Sequence, residues 1–425
     1  MRRLVLIACL ALPGLASAAG IAHTKYKFES ATITDLGTLG GVVSIAYDIN
    51  EGGDVVGWSY DEDFKPHAVA WLNGAIHDLH NGSPAWEAAT AYGINNHRQI
   101  VGEYLQPGSQ GLWRAFMQIP GGWVTPLAGH NPAPNLSFDW DTHAYAINSS
   151  GRIAGEAVRK PNFSLPDPPD TGDLCYENLP VQWQPGGGGP SPLFCVTDVN
   201  NDNDYNPDGT EGLSPRALDV NDQGNFVGTD GASTNWSMFL FKGGVRIPVP
   251  APAGAPDLTL DGEADGLNNK NWVVGTFGWP DGGVKFRAFV WNGTSARSQS
   301  IGMLPGGSYS FAEEINEQNM VAGTSERGYG PWPMKRDAAY LWHADFGMKQ
   351  LPGLSGEYGN NGSLVVWMFD RCRAYSLNDR KAATGIVQVV GECEVGDEVH
   401  AVRWDVKVSV KPILVLNPIG PVAPL

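Results

Sequence analysis

Ala46-Tyr47-Asp48-Ile49-Asn50, closing seven residues after the asparagine in Val55-Val56-Gly57, is the stretch that decides the fold, because its spacing returns along the whole chain. The pattern is Ala, two residues, an aliphatic residue, Asn, then Gly seven positions on. It recurs as Ala91, Ile94, Asn95 and Gly102, then as Ala144, Ile147, Asn148 and Gly155. The fourth and fifth copies are Ala217, Val220, Asn221, Gly228 and Ala264, Leu267, Asn268, Gly275. The sixth is Ala312, Ile315, Asn316, Gly323, and the seventh is read as Ala374, Leu377, Asn378, Gly385.

Each copy continues with a short aromatic run, such as His67-Ala68-Val69-Ala70-Trp71, Arg287-Ala288-Phe289-Val290-Trp291 or His400-Ala401-Val402-Arg403-Trp404. A Gly-containing turn and a brief apolar segment then close the unit, as in Asn73-Gly74 before Asp78-Leu79. Short β-branched runs punctuated by Gly and Asn read as strands. Asn tolerates left-handed turn positions and bonds nearby backbone. Gly and Ala permit close backbone approach. Four strands in a repeat of this size match one blade, so the expected fold is all-β, a propeller of seven four-stranded blades. Ring closure has two candidates for the last outer strand: Ala31–Leu36 from the N-terminal end, or the run 406–416 from the C-terminal end. The sequence does not choose between them.

Asp35-Leu36-Gly37-Thr38-Leu39-Gly40-Gly41, with the Ile-Asn, Val-Val-Gly and His-Ala-x-x-Trp runs, resembles the bacterial extracellular HAF repeat. The third and fourth copies depart from it, lacking the His and carrying inserts. The resemblance implies secretion and a repeat fold. It supplies no reaction and no catalytic residue.

Residues 1–18 read as a signal peptide: Arg2 and Arg3, an apolar run to Leu15, and the small-x-small site Ala16-Ser17-Ala18. That run is too short to span a membrane, and no later segment is apolar enough to do so. The rest, residues 19–425, reads as one repeat domain with inserts near 156–178 and 196–216, secreted or periplasmic. A net charge of −17 disfavours nucleic acid as a partner. Outside the signal segment stand Cys175, Cys195, Cys372 and Cys393, an even number that suggests two disulfides. Of three possible connectivities, Cys175–Cys195 and Cys372–Cys393 are favoured because each pair flanks one local excursion.

The turn between the first two strands keeps its length in this alignment, whereas the connections between strands two and three, and from strand four to the next blade, vary. Those two connection types emerge on one face. Function concentrates on variable loops held by a rigid scaffold. Trp86, Trp113, Trp140, Trp236, Trp279, Trp332 and Trp367 fall in or beside those loops and are the expected ligand-binding residues, flat faces suited to glycans. Trp71, Trp183, Trp291, Trp342 and Trp404 repeat at one strand position and are expected to pack between blades. Asp202, Asp204, Asn206 and Asp208 offer oxygen ligands in a loop resembling the start of a calcium site, with Pro215 where a bidentate Glu is expected, so any calcium is structural. Asp141 and His143 form a weak acid–base candidate. There is no G-x-S-x-G elbow, H-E-x-x-H or phosphate loop. The preferred reading is a secreted, non-catalytic binding or surface protein that engages a glycan or a cell-surface protein. The alternative is a polysaccharide-acting hydrolase or lyase with its site at the channel mouth. Titratable groups converging there would favour the enzyme, an aromatic shelf without them the binder.

Overall fold

The computed structural model describes residues 22–80, 86–108, 111–122, 124–128, 140–159, 179–185, 189–194, 215–229, 238–255, 262–280, 284–329, 334–355 and 370–414. Among these, every regular element is a strand. The first repeat forms Gly40–Ile49, Val55–Asp61, Pro66–Leu72 and Ala75–Asp78, each antiparallel to the next. Residues 89–126, 140–192, 216–248, 262–302 and 310–350 build five further four-stranded sheets in the same order. The seventh blade consists of Cys372–Leu377, Ile386–Val395 and Glu398–Leu414, with Ala22–Asp35 as its outer strand. The expected seven-bladed propeller is therefore the fold.

Ala22–Asp35 settles the closure. It pairs antiparallel with Glu398–Leu414 along nearly its whole length, from Ala22↔Leu414 to Asp35↔Val402. The C-terminal run from Val406 is not a rival outer strand, because it continues the third strand. One blade is thus stitched from both ends of the domain, which makes ring opening cost a full strand pairing.

Hydrophobic packing explains the unbroken Val-Val of strand two. The core is divided into seven clusters, each shared by two neighbouring blades. Val55 packs toward blade seven with Val390 and Ala401, while Val56 packs toward blade two with Ala91 and Phe116. A strand buried on both faces needs apolar residues at consecutive positions, not alternate ones. The five repeated tryptophans Trp71, Trp183, Trp291, Trp342 and Trp404 are all buried, as expected. Trp183 and Trp404 donate their indole N–H to the carbonyls of Ala128 and Pro352 at the preceding blade's edge.

The repeated Gly has a steric cause. In strand two it lies opposite the repeated Ala of strand one, and an added Cβ would stand 1.8–2.2 Å from the strand-one carbonyl oxygen just before that Ala. This corrects the seventh copy: the residue facing Ala374 is Gly391, not Gly385. Asn378 N–H reaches Gln388 O, whereas Asn50 N–H reaches Asp54 O, so the seventh turn is six residues longer and turn length is not uniform. Gly385 lies within that longer turn, at φ +70°.

The repeated Asn closes the ring. Each Nδ2 donates to the backbone carbonyl of the next blade's Asn, from Asn50 through Asn95, Asn148, Asn221, Asn268, Asn316 and Asn378 back to Asn50, at 2.9–3.3 Å. Each Oδ1 accepts from its own turn, as Asn148 does from Ser150 and Arg152. Asn148→Ala should lower the unfolding free energy by about 3 kcal/mol, since it leaves buried backbone groups unpaired on two blades. Urea denaturation measures this, and a loss under about 1 kcal/mol would show that the ring carries little of the stability.

Cys372 and Cys393 are disulfide-bonded across the first two strands of blade seven. Cys175 and Cys195 lie outside the described residues, as do residues 1–18 and the insert segments 160–178 and 195–214. Strand two of blade three runs to Arg159, so the expected insert near 156–178 begins later than the sequence suggested. Among the described residues no helix is long and apolar enough to cross a membrane.

Candidate functional site: the central channel

Every innermost strand carries a bulge at the same place. The register slips by one residue immediately after the repeated Ala in all seven blades. Such bulges re-aim side chains and are common beside active sites. The extra residues are Tyr47, Tyr92, Tyr145, Leu218, Asp265, Glu313 and Tyr375, one per blade around the central channel.

They segregate by chemistry. Tyr375, Tyr47, Tyr92 and Tyr145 form a continuous arc, with successive ring centroids 5.4, 5.2 and 5.6 Å apart. Across from them stand Asp265 and Glu313, joined by Asp219 and Glu314 from the next position on their strands and by Asp48 beneath the tyrosines. Gly266 makes room for this crowding, since a Cβ there would meet Glu314 Oε1 at 2.9 Å.

Enclosure raises the acids. Burial pushes Asp219 and Glu313 up to about 7, with Asp48 adding to Asp219 and Glu263 to Glu313. Asp265 and Glu314 are pushed well above the carboxylate range by burial first, and then by nearby carboxylates, Glu263 and Glu313 for Asp265 and Asp219 and Asp48 for Glu314. Asp48 is also raised by burial, against bonds from Ile94 N–H at 2.8 Å and Ser376 Oγ at 2.7 Å, which tie blade one to blades two and seven. Asp219 similarly accepts from Leu267 N–H of the next blade at 2.8 Å.

Toward the variable-loop face lies a second tier. His143 Nδ1 and Glu103 share a hydrogen bond, and Tyr92 donates to Glu103 Oε1 at 3.0 Å. Tyr145 donates to Glu156, whose other oxygen is buried without a partner among the described residues. Arg216 bonds Glu263 at 2.5 Å, and Arg373 bonds Asp337 at 2.9 Å. Burial opposes a charge on His143, but the bonded Glu103 outweighs it and raises its pKa. Glu156 is raised by burial despite His143 and Arg216 nearby. Glu103, not Asp141, is therefore the partner of His143. Asp141 is buried and accepts from Trp113 N–H.

Of the seven tryptophans expected on the loop face, Trp86 departs from the expectation. Trp86 is buried and stacks on Tyr104 with centroids 4.4 Å apart, so it fills the interface between blades one and two and presents no face to a ligand. Trp113 is half-buried at the start of a strand. Trp140 and Trp279 have strand backbones, while Trp236, Trp332 and Trp367 lie outside the described residues. Asp202, Asp204, Asn206 and Asp208 also lie outside them. The sequence did carry a signal for the channel. Aligning the seven copies and reading the column after the Ala gives Tyr, Tyr, Tyr, Leu, Asp, Glu, Tyr, a position free of the packing rule that fixes its neighbours.

No family model and no curated protein matches the chain. Among solved structures it is similar to a gluconolactonase from Xanthomonas campestris at 11% identity and TM-score 0.37, covering 93% of this chain and 99% of that one. A protein of unknown function from Dyadobacter fermentans is 12% identical at TM-score 0.39, covering 91% and 100%. A Trypanosoma rangeli sialidase is 10% identical at TM-score 0.36, covering 89% of this chain and 60% of that one. Likeness at this level bears on neither ligand nor chemistry.

The raised acids fix a pH dependence. In the folded chain Asp219 and Glu313 hold their protons to about pH 7, whereas unfolded carboxyls release theirs near the ordinary values of 3.8 and 4.5. Between those limits the native state binds more protons, so stability is greatest on the acid side and falls as pH rises toward 7. Urea midpoints should drop from pH 5 to pH 8, and Glu313→Gln should flatten the decline. A midpoint that rises over that range would contradict the buried-acid reading.

Proposed function

We propose that the protein is an exported propeller that receives a saccharide in its central channel. The observation that carries this is the tyrosine arc facing a wall of carboxylic acids. Tyrosine faces suit the C–H surfaces of sugar rings, and phenol hydroxyls suit their edges. Acids held protonated near neutrality both donate to and accept from hydroxyls. Cleavage of that saccharide is a second reading, favoured by one observation: the Glu103–His143 pair sits beside the arc, hydrogen-bonded to Tyr92, and a carboxylate–imidazole pair suits general acid–base transfer. The loop-face tryptophans are not needed for either reading.

The experiment is a glycan-array screen of the chain, followed by calorimetry on any hit. Tyr47→Ala and Tyr92→Ala should each weaken binding about tenfold, corresponding to the loss of one aromatic contact of about 1.4 kcal/mol, and Trp113→Ala should leave it unchanged. Product formation that is lost in Glu103→Gln, with binding retained, would move the assignment from binder to enzyme. Binding that survives both tyrosine changes and falls with Trp113→Ala would return the site to the loop face.

A further inference from the structure

Blade one differs from its sister blades at one point. His67, the second residue of the third strand, faces Asp78, the last residue of the fourth, with Nδ1 3.1 Å from Oδ2. Blade seven repeats this pair as His400 and Asp35, at 2.7 Å. In both, the residue two after the Asp folds its backbone N–H onto Oδ1, at 2.8 Å in each case. In blade seven that residue is Gly37, and in blade one it is His80. Both nitrogens of His400 have carboxylate partners, Asp35 and Glu398. His80 has no such bond: with its side chain only 10% exposed, its Nδ1 comes no nearer to Asp78 than 3.8 Å, and neither ring nitrogen finds a hydrogen-bond partner among the described residues.

We propose that His67, Asp78 and His80 form a binding site for a zinc-class divalent transition metal. One ligand atom from each lies within 4.8 Å of the others. His80 Nδ1 stands 3.8 Å from Asp78 Oδ1, and the two imidazole rings are 4.3 Å apart. Two imidazoles and a carboxylate with an open side match zinc or its neighbours in the first transition row, and nitrogen ligands argue against calcium or magnesium. Asp61 supplies the outer partner that metal-bound histidines ordinarily have, with Oδ2 3.2 Å from His67 Nε2. That bond leaves the Nδ1 lone pair directed at Asp78, an arrangement a cation between them would stabilise. Trp86 packs against the His80 ring at 5.1 Å and shields one side, while Asp61 and Asp78 remain about a quarter and a third exposed and leave an entry. A protonated His67 bridging Asp61 and Asp78 would explain those three residues alone. It leaves the two bare nitrogens of His80 unaccounted for.

The test is calorimetric titration of the EDTA-stripped full chain with zinc chloride, with cobalt(II) absorption as a spectroscopic readout of nitrogen ligation. The wild type should bind one equivalent that His80→Gln and Asp78→Asn each weaken at least tenfold. His400→Gln, at the sister position, should bind as the wild type does. Metal-free melting of His80→Gln should match the wild type, separating lost ligation from lost folding. Zinc should raise the melting temperature of the wild type and not of that variant. Equal zinc affinity in the wild type and His80→Gln, or no binding by the wild type, would overturn the site.

Discussion

Seven asparagine side chains hold the centre of this molecule. Each gathers the backbone N–H groups of its own turn on Oδ1 and spends Nδ2 on the carbonyl of the next blade, so local turn and global ring are satisfied by one amide. Aspartate would lack the donor and bring seven charges to one rim. A second belt reinforces it: the N–H of Asp222 meets Asn269, that of Asn269 meets Glu317, that of Glu317 meets Asp379, and that of Asp379 meets Glu51. These contacts fix the spacing of the innermost strands. With it they fix where the glycines must be, because the strands then approach too closely for a Cβ.

The bulge beside each repeated Ala separates scaffold from site. Ala and the aliphatic residue face neighbouring blades and are held by packing. The first of the two residues between them is turned out of the ladder toward the channel, where hydrogen-bond register does not constrain it. One column of the repeat can therefore vary from Tyr to Asp to Glu while the Ala before it stays fixed. Burial makes charge on the acids gathered there costly, which is why their protons are retained to near neutrality. A scaffold with seven interface cores tolerates that cost, since no single interface depends on the channel side chains.

Blade one shows the same separation at the outer edge. The His–Asp pair of strands three and four is common to blades one and seven, but only in blade one does the following turn bring in a second imidazole. A repeat position supplied the frame, and one substitution within it, His where blade seven has Gly, supplies the new chemistry.

The sequence by itself determined the blade number, the blade order and the residues that must be small, amidic or aromatic, because those are set by local geometry repeated at fixed intervals. It misplaced the glycine of the seventh blade, where Gly385 happens to stand at the usual interval while a longer turn hands its role to Gly391. It also offered Trp86 as a surface residue, since nothing local reveals that Tyr104 on the next strand pair covers it. Tertiary structure alone decided which end closes the ring, because both termini carry strand-forming runs and only the pairing of Ala22–Asp35 with Glu398–Leu414 distinguishes them. It also gathered the channel site, whose residues the sequence shows as one column of the repeat but does not bring together. Tyr47, Tyr145, Asp265 and Glu313 are far apart in the chain, and only ring closure brings one residue from each blade to a common axis.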